Sequence, residues 1–234
     1  MKYKLSISGG LGNQLFQWAQ GKFLEKCGHE VFYDTSFFDC INGDESKGHG
    51  IPHRNFILQD LLKEKIKNNK NIQAHNVSDY FQKDHNLEQI KDEVISSLNL
   101  EFKTEYDLKN SCALHVRRGD YKNIQHIFNL LNPAFFHKAI DIIKPTGYTY
   151  IFSDDIDWCK ENLNIKKSIF IEEKPEIEDF LFMSKCSDNI ISNSTFSWWS
   201  AWLNNNPSKK VVQPKKWFTR GNAGKLINPE WISI

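Results

Sequence analysis

The stretch LHVRRGDY, residues 114–121, decides the reading of this chain. The apolar run Ser111-Cys112-Ala113-Leu114 leads into His115, Val116, Arg117, Arg118, Gly119 and Asp120. A strand looks like this when it ends at a polar edge and glycine eases the turn. Two adjacent guanidiniums do not hide in a core, because each carries a permanent charge and five donors. Arginine's rigid fork suits phosphate, and such charge-assisted bonds are among the stronger contacts in water. Asp120 is placed to hold one guanidinium, and His115 to donate or accept beside the pair. The competing reading is a surface ion pair at a strand end, which contributes little. Arg118-Gly119-Asp120 also spells an adhesion tripeptide, a match too short to weigh.

Around this stretch lie 234 residues, 27.4 kDa, enough for one large domain or two small ones with a real core. The net charge of +1 supplies no field that would draw the chain to nucleic acid or to anionic lipid. Cys27, Cys40, Cys112, Cys159 and Cys186 form no CxxC pair and no metal-ligand spacing, which fits a reduced cytosol. The start, MKYKLSISGG, lacks the apolar stretch of a signal peptide, and no run approaches a membrane span. The expectation is a soluble cytoplasmic protein, with peripheral membrane contact left open.

Taken in order, residues 4–8 alternate as a short strand, and Gly9-Gly10-Leu11-Gly12 makes a turn. Asn13 is placed to cap a helix over residues 14–26, Gly28 closes it, and residues 30–33 read as the next strand. This βαβ start presents backbone amides near Gly10 and Asn13, a place for an anion or a sugar hydroxyl; the competing reading is a tight turn with no ligand. It is not a dinucleotide fingerprint, since Leu15 stands where the third glycine belongs. Residues 39–54 read as a polar loop, 61–71 as an exposed lysine-rich helix and turn, and 87–98 as a helix. The polar stretch 101–110 makes a linker, and the domain boundary is set at residues 1–107 and 108–234. Beyond the arginines, helices are expected at 133–143, 156–163 and 178–186, and a Trp-rich helix entered through 193–197 and ending near 203. Strands are expected at 148–152, 168–171, 189–192 and 211–212. This alternation implies a parallel sheet, with ligands at the carboxyl ends of its strands.

Three polar clusters then fall at strand ends: Arg117/Arg118, Ser153/Asp154/Asp155 and Ser194/Thr195/Ser197. Two cations, a carboxylate pair, and hydroxyls with amides at a helix start suit a nucleoside diphosphate. A carboxylate can accept both N1–H and the exocyclic amine of guanine. For Ser194–Ser197 the competing reading is a plain helix cap; for Trp198, Trp199 and Trp202 it is core packing rather than sugar stacking.

GGLGNQLFQ (9–17), DYFQ (79–82), HVRRGDY (115–121), FSDDIDWCKENL (152–163), MSKCSDNIISNSTFSWWSAWLN (183–204) and PKKWF (214–218) resemble glycosyltransferase family 11, the α-1,2-fucosyltransferases. The resemblance implies an α/β, GT-B-like fold: two Rossmann-like parallel-sheet domains with a cleft between them, an N-terminal acceptor-side domain and a C-terminal GDP-sugar-binding one. It implies inverting transfer of L-fucose from GDP-fucose to the 2-hydroxyl of a galactoside, with no metal and no cofactor beyond the donor substrate. Its partners would be a nucleotide sugar and a glycan acceptor. Arg117 and Arg118 would bind GDP phosphate, with Arg118 the less replaceable; His115 and Asp154/Asp155 would lie near the nucleoside, and Ser194, Thr195 and Ser197 near the phosphates. Arg118, Arg117 and Asp120 are the candidate catalytic residues, with Asp120 the arginines' partner. Asp39, Asp44, Glu45, His49 and His53 sit in the acceptor half. The chain looks short for the family, chiefly before and just after the arginine strand. Asp155-Ile156-Asp157 spells the DxD of a metal-using transferase class, although Asp157 also suits a first helical turn. Two rivals stand beside this reading: another GDP-sugar on the same fold, or a non-catalytic nucleotide- or glycan-binding module with its tryptophans as a lectin surface.

Overall fold

The computed structural model describes residues 1–42 and 55–234, so the candidates Asp44, Glu45, His49 and His53 lie outside the described residues. The chain divides into two compact units, Met1–Leu100 and Glu101–Ile234. Residues 101–107 go with the second unit because Phe102 and Tyr106 pack on Phe182, and the Tyr150 hydroxyl donates to the Asp107 carbonyl at 2.7 Å.

In the first unit, β1 (Lys2–Ser6) lies between β2 (Glu30–Asp34) and β3 (His75–Val77), all parallel, with α1 (Leu11–Lys26) making the crossover. Helix α1 begins earlier than the expected cap at Asn13. Gly9 takes φ +75°, the turn closes at Gly10, and Asn13 falls inside the first turn, where its Oδ1 accepts from Gln82 Nε2 at 2.6 Å. Gln14 is fully buried: its Nε2 donates to the carbonyls of Gly9 and Asn55, and its Oε1 accepts from the amides of Ile57 and Leu58. The lysine-rich segment is not the expected helix. Helix α2 (Leu58–Leu61) stops at Leu61, after which Leu62 pairs with Leu98 and Asn68 with Tyr33, so the backbone bonds go to neighbours rather than to a helix. Residues 87–98 divide at Ile90 into a 3-10 turn, Leu87–Gln89, and α3 (Lys91–Ser97).

The second unit carries β4 (Cys112–Val116), α4 (Pro133–Ile143), β5 (Thr149–Ser153), α5 (Ile156–Asn162), β6 (Ser168–Phe170), α6 (Glu176–Lys185), β7 (Asp188–Ile190), α7 (Thr195–Leu203), β8 (Val211–Gln213) and β9 (Ile232–Ser233). Its six strands are all parallel in the order β6-β5-β4-β7-β8-β9, the doubly wound order that reverses direction between β4 and β7. Strand β4 is buried throughout. Cys112, Leu114 and Val116 face one core with Phe136 of α4 and Cys159 of α5, and Ala113 faces the other with Phe182 and Met183 of α6. Helix α4 follows its sequence signals: Asn132 accepts from the Phe135 amide at 3.1 Å, Pro133 opens the helix, and Lys144 ends it at φ +54°. Trp198 and Trp199 are buried core residues and Trp202 is nearly so, which removes the lectin-surface reading. The fold class is therefore α/β, with a parallel sheet in each unit.

Candidate functional site

Strand reversal between β4 and β7 separates the two strands beyond the pair Leu114↔Ile190. A crevice outside the carboxyl ends of a doubly wound sheet is where ligands bind. At its root the Ser192 hydroxyl donates to the His115 carbonyl at 2.7 Å and accepts from the Arg117 amide at 3.0 Å. The sequence reading had no role for Ser192; only the parallel pairing brings it beside the arginines.

Register also places the end of β5 next to that of β4, with Val116 opposite Ser153. Asp154 therefore reaches both arginines. Its Oδ1 accepts from the Arg118 amide at 2.8 Å, and its Oδ2 pairs with Arg117 Nη1 at 2.9 Å. Asp120 takes Arg117 Nη2 at 2.7 Å. Asp155 Oδ2 accepts from Arg118 Nε and from Lys122 Nζ, each at 3.2 Å. Burial works against the Asp155 carboxylate, but the bonds from Lys122 and Arg118 outweigh it and hold its pKa below the ordinary value. Both oxygens of Asp154 are thus taken by the arginine strand, so the expected base-reading pair acts first as a brace. Asp155, the first residue of the DxD, has Oδ2 occupied by Arg118 and Lys122, and Asp157 sits in the first turn of α5. Among the described residues, no group of three or more His, Cys, Asp or Glu side chains is arranged to hold a metal ion.

The two arginines differ. Arg117 has both terminal nitrogens in ion pairs and lies 5.3 Å from the Tyr121 ring centroid. Arg118 sits over Trp158 at 3.7 Å and is held by Asp155 through Nε alone. Its Nη1 and Nη2 have no protein partner among the described residues. Arg117 is the strut, and Arg118 presents a fixed, two-pronged donor.

Gly119 allows this closeness, since a Cβ there would stand 2.5 Å from Asp154 Oδ2. His115 lies beneath, buried against Phe196 at 5.7 Å. Burial lowers its pKa to about 4 and keeps the ring neutral; Asp154 pulls the other way and Arg117 adds to the lowering. His115 Nδ1 and Asn193 Oδ1 are buried with no hydrogen-bond partner among the described residues, uncommon enough for polar atoms to mark a site.

On the β7 side, Asn193 is pinned from three segments. Its Nδ2 donates to the carbonyls of Asn129 and Trp217 at 2.8 and 2.7 Å, and its carbonyl accepts from the Tyr121 hydroxyl at 3.0 Å. This gives the PKKWF stretch a structural purpose. Ser194 holds the N-cap position of α7 but makes no side-chain capping bond, so the plain-cap reading fails. Ser197 is buried and donates back to the Ser194 carbonyl at 3.3 Å, leaving Ser194 and Thr195 as the hydroxyl residues at the helix start. The structure thus gathers His115, Arg117, Arg118, Asp120, Asp154, Asp155, Ser194 and Thr195 around one strand reversal, whereas Gly10 and Asn13 belong to the first unit. Trp158, Tyr121, Lys122 and Asn193 have no assigned role in the sequence reading, although all four lie inside or next to motifs singled out there.

A family model described as Glycosyl transferase family 11 matches residues 38–234. The Escherichia coli O-antigen biosynthesis glycosyltransferase WbnK is 28% identical, with 97% of this chain and 99% of that protein covered. The alignment runs over 298 positions, so it carries long gaps on the side of this 234-residue chain. The E. coli alpha-1,2-colitosyltransferase is 34% identical over 59% of this chain and 53% of its own length. Galactoside alpha-(1,2)-fucosyltransferase 2 of Rattus norvegicus is 27% identical over 52% of this chain and 39% of its own length. The chain thus spans about half or less of these last two. The solved E. coli heptosyltransferase WaaC with ADP is a distant likeness, with a TM-score of 0.36 and 8% identity over 92% of this chain and 87% of that one. The family match covers most of the chain, including both sides of the strand reversal, and the chain belongs to glycosyl transferase family 11.

Proposed function

We propose that this chain transfers L-fucose from GDP-fucose to the 2-hydroxyl of a galactoside, with inversion at the anomeric carbon and without a metal. The observation that carries this reading is Arg118: a guanidinium fixed by Trp158 and Asp155, with two free prongs at the carboxyl end of β4. It supplies what a departing nucleoside diphosphate needs. In the transfer, an acceptor hydroxyl attacks C1 of the sugar as the bond from C1 to the phosphate oxygen breaks; GDP departs and the hydroxyl proton is released to solvent. The Arg118 prongs and the start of α7 stabilise the charge that develops on the phosphate. Arg117, held by Asp120 and Asp154, keeps the strand end in place. The second oxygen of Asp155 is the group offered to the nucleobase, with His115 neutral and buried beneath the arginines.

The 34% identity to an alpha-1,2-colitosyltransferase favours colitose as a second donor sugar. Colitose is fucose lacking the 3-hydroxyl. The deciding experiment offers GDP-fucose, GDP-mannose and a colitose-bearing nucleotide sugar to the protein with a panel of galactosides, and reads the linkage by NMR. An α-1,2-fucosyl product is expected. Preference for GDP-mannose, or no release of GDP from any donor, would overturn the reading.

A further inference from the structure

The first unit holds a cavity of about 280 Å³ that no part of the donor chemistry uses. We propose that it is a subsite for one sugar residue of the acceptor glycan, a proposal that rests on the glycosyltransferase reading above.

Its position follows from the backbone. Tyr33 of β2 donates to the Lys67 carbonyl and accepts from the Asn69 amide, both at 2.9 Å, so the returning chain runs beside β2 in the same direction. Thr35 and Ser36, just past β2, and Asn69 to Asn71, just past the bridge at Asn68, therefore leave at the same carboxyl edge of the sheet. Ligands of open parallel sheets bind at that edge.

The chemistry of the wall selects the ligand class. It contains three asparagines and two hydroxyl residues, and its only charges among the described residues are Asp39 and Lys70, paired with each other at 3.1 Å. Among the described residues no aromatic or aliphatic side chain lines it, so this wall suits neither a nucleobase nor a lipid chain. Its cation is neutralised, so it does not select an anion. A neutral ligand rich in hydroxyls fits, because each sugar hydroxyl both donates and accepts, as amides do. The volume lies at the small end for ligand pockets, enough for a single sugar ring.

Part of the wall is already fixed. Asn68 Nδ2 donates to Thr35 Oγ1 at 2.5 Å, Asn69 Oδ1 accepts from the Asn71 amide at 3.2 Å, and Lys4 Nζ donates to the Lys70 carbonyl at 2.7 Å. The groups left over are Asn69 Nδ2, the Asn71 side-chain amide and Asp39 Oδ1, which have no protein partner among the described residues. A carboxylate oxygen beside two amides can take adjacent hydroxyls of one pyranose.

The test uses the whole chain, with methyl β-D-galactopyranoside and lactose as probes. Saccharide binding is followed by saturation-transfer NMR without donor, and acceptor KM and GDP affinity are measured separately. Asn71→Leu and Asp39→Asn, each checked for folding by circular dichroism, are expected to weaken saccharide binding and raise acceptor KM by roughly tenfold, leaving GDP affinity unchanged. Parental saccharide binding and acceptor KM in both variants would overturn the subsite while leaving the donor reading intact. Absence of saccharide binding to the parent protein would overturn it too. If the parent binds saccharide through these residues yet releases no GDP from any donor, the saccharide site stands, and its acceptor role falls with the transferase reading.

Discussion

The guanidinium of Arg118, in the turn after β4, sits over the indole of Trp158 at 3.7 Å, on the helix that follows the neighbouring strand β5. Stacking and the single bond from Nε to Asp155 fix the plane of the fork without using its two outer nitrogens. Arg118→Ala is therefore expected to abolish transfer and weaken GDP binding by roughly a hundredfold, the worth of two charge-assisted bonds. Arg118→Lys keeps the charge and loses the fork, so it stays badly impaired. Trp158→Leu weakens GDP binding several-fold, in line with a cation–π contact of about 1 kcal/mol. Calorimetry with GDP orders the three variants; near-normal binding by Arg118→Lys would rule out a two-pronged phosphate contact.

Gly119 tests the brace from the other side. The methyl of Gly119→Ala would stand 2.5 Å from Asp154 Oδ2, the oxygen paired with Arg117. Either Asp154 swings away and the strut loosens, or the turn shifts and carries Arg118 with it. The expected outcome is a loss of about 1–3 kcal/mol in stability together with weaker GDP binding. A variant that melts with the parent and binds GDP equally well would mean that the turn is compliant.

His115 makes a prediction about pH. Its folded pKa lies at about 4, below the value of about 6.5 for an unfolded histidine. Between these the unfolded chain binds the proton and the native chain does not, so stability falls as pH drops through this window, by about 3 kcal/mol at most. His115→Gln cannot be protonated and should lose less stability between pH 7 and pH 4.5. Urea titrations at the two pH values compare the slopes, and identical losses in parent and variant would assign the acid sensitivity elsewhere.

Metal dependence separates two mechanisms. Asp155, the first residue of the DxD, already accepts from Arg118 and Lys122. A magnesium ion placed there would displace two cations and face the repulsion of a third. Full transfer in excess EDTA is expected, with Asp157→Asn tolerated. Activity that disappears in EDTA and returns with manganese would restore the DxD.

Much of the second unit was legible because local and global signals agree there. The run into Arg117 reads as a buried strand ending at a polar edge, and β4 ends at Val116. Pro133 after Asn132 reads as a capped helix start, and α4 begins there. The braces were not legible: Arg118 and Asp154 are 36 residues apart and meet only because β4 and β5 pair in one register. Ser192 was hidden for the same reason, 75 residues from the amide it receives. In the first unit, lysine-rich composition argued for an exposed helix at 61–71, but pairing with Tyr33 and Leu98 overrode propensity. The polar linker concealed its anchors, since Phe102 and Tyr106 look isolated until Phe182 arrives from α6.

Ser192 closes the strand separation at its root, one hydroxyl standing in for the ladder bonds that β4 and β7 stop making. The mouth of the site therefore opens without stranding the amide of Arg117 or the carbonyl of His115. Its width there is set by the length of a serine side chain, a gauge rather than a spring. On the proposed donor reading, differences among donors at this edge come from how each one fits the Arg118 prongs.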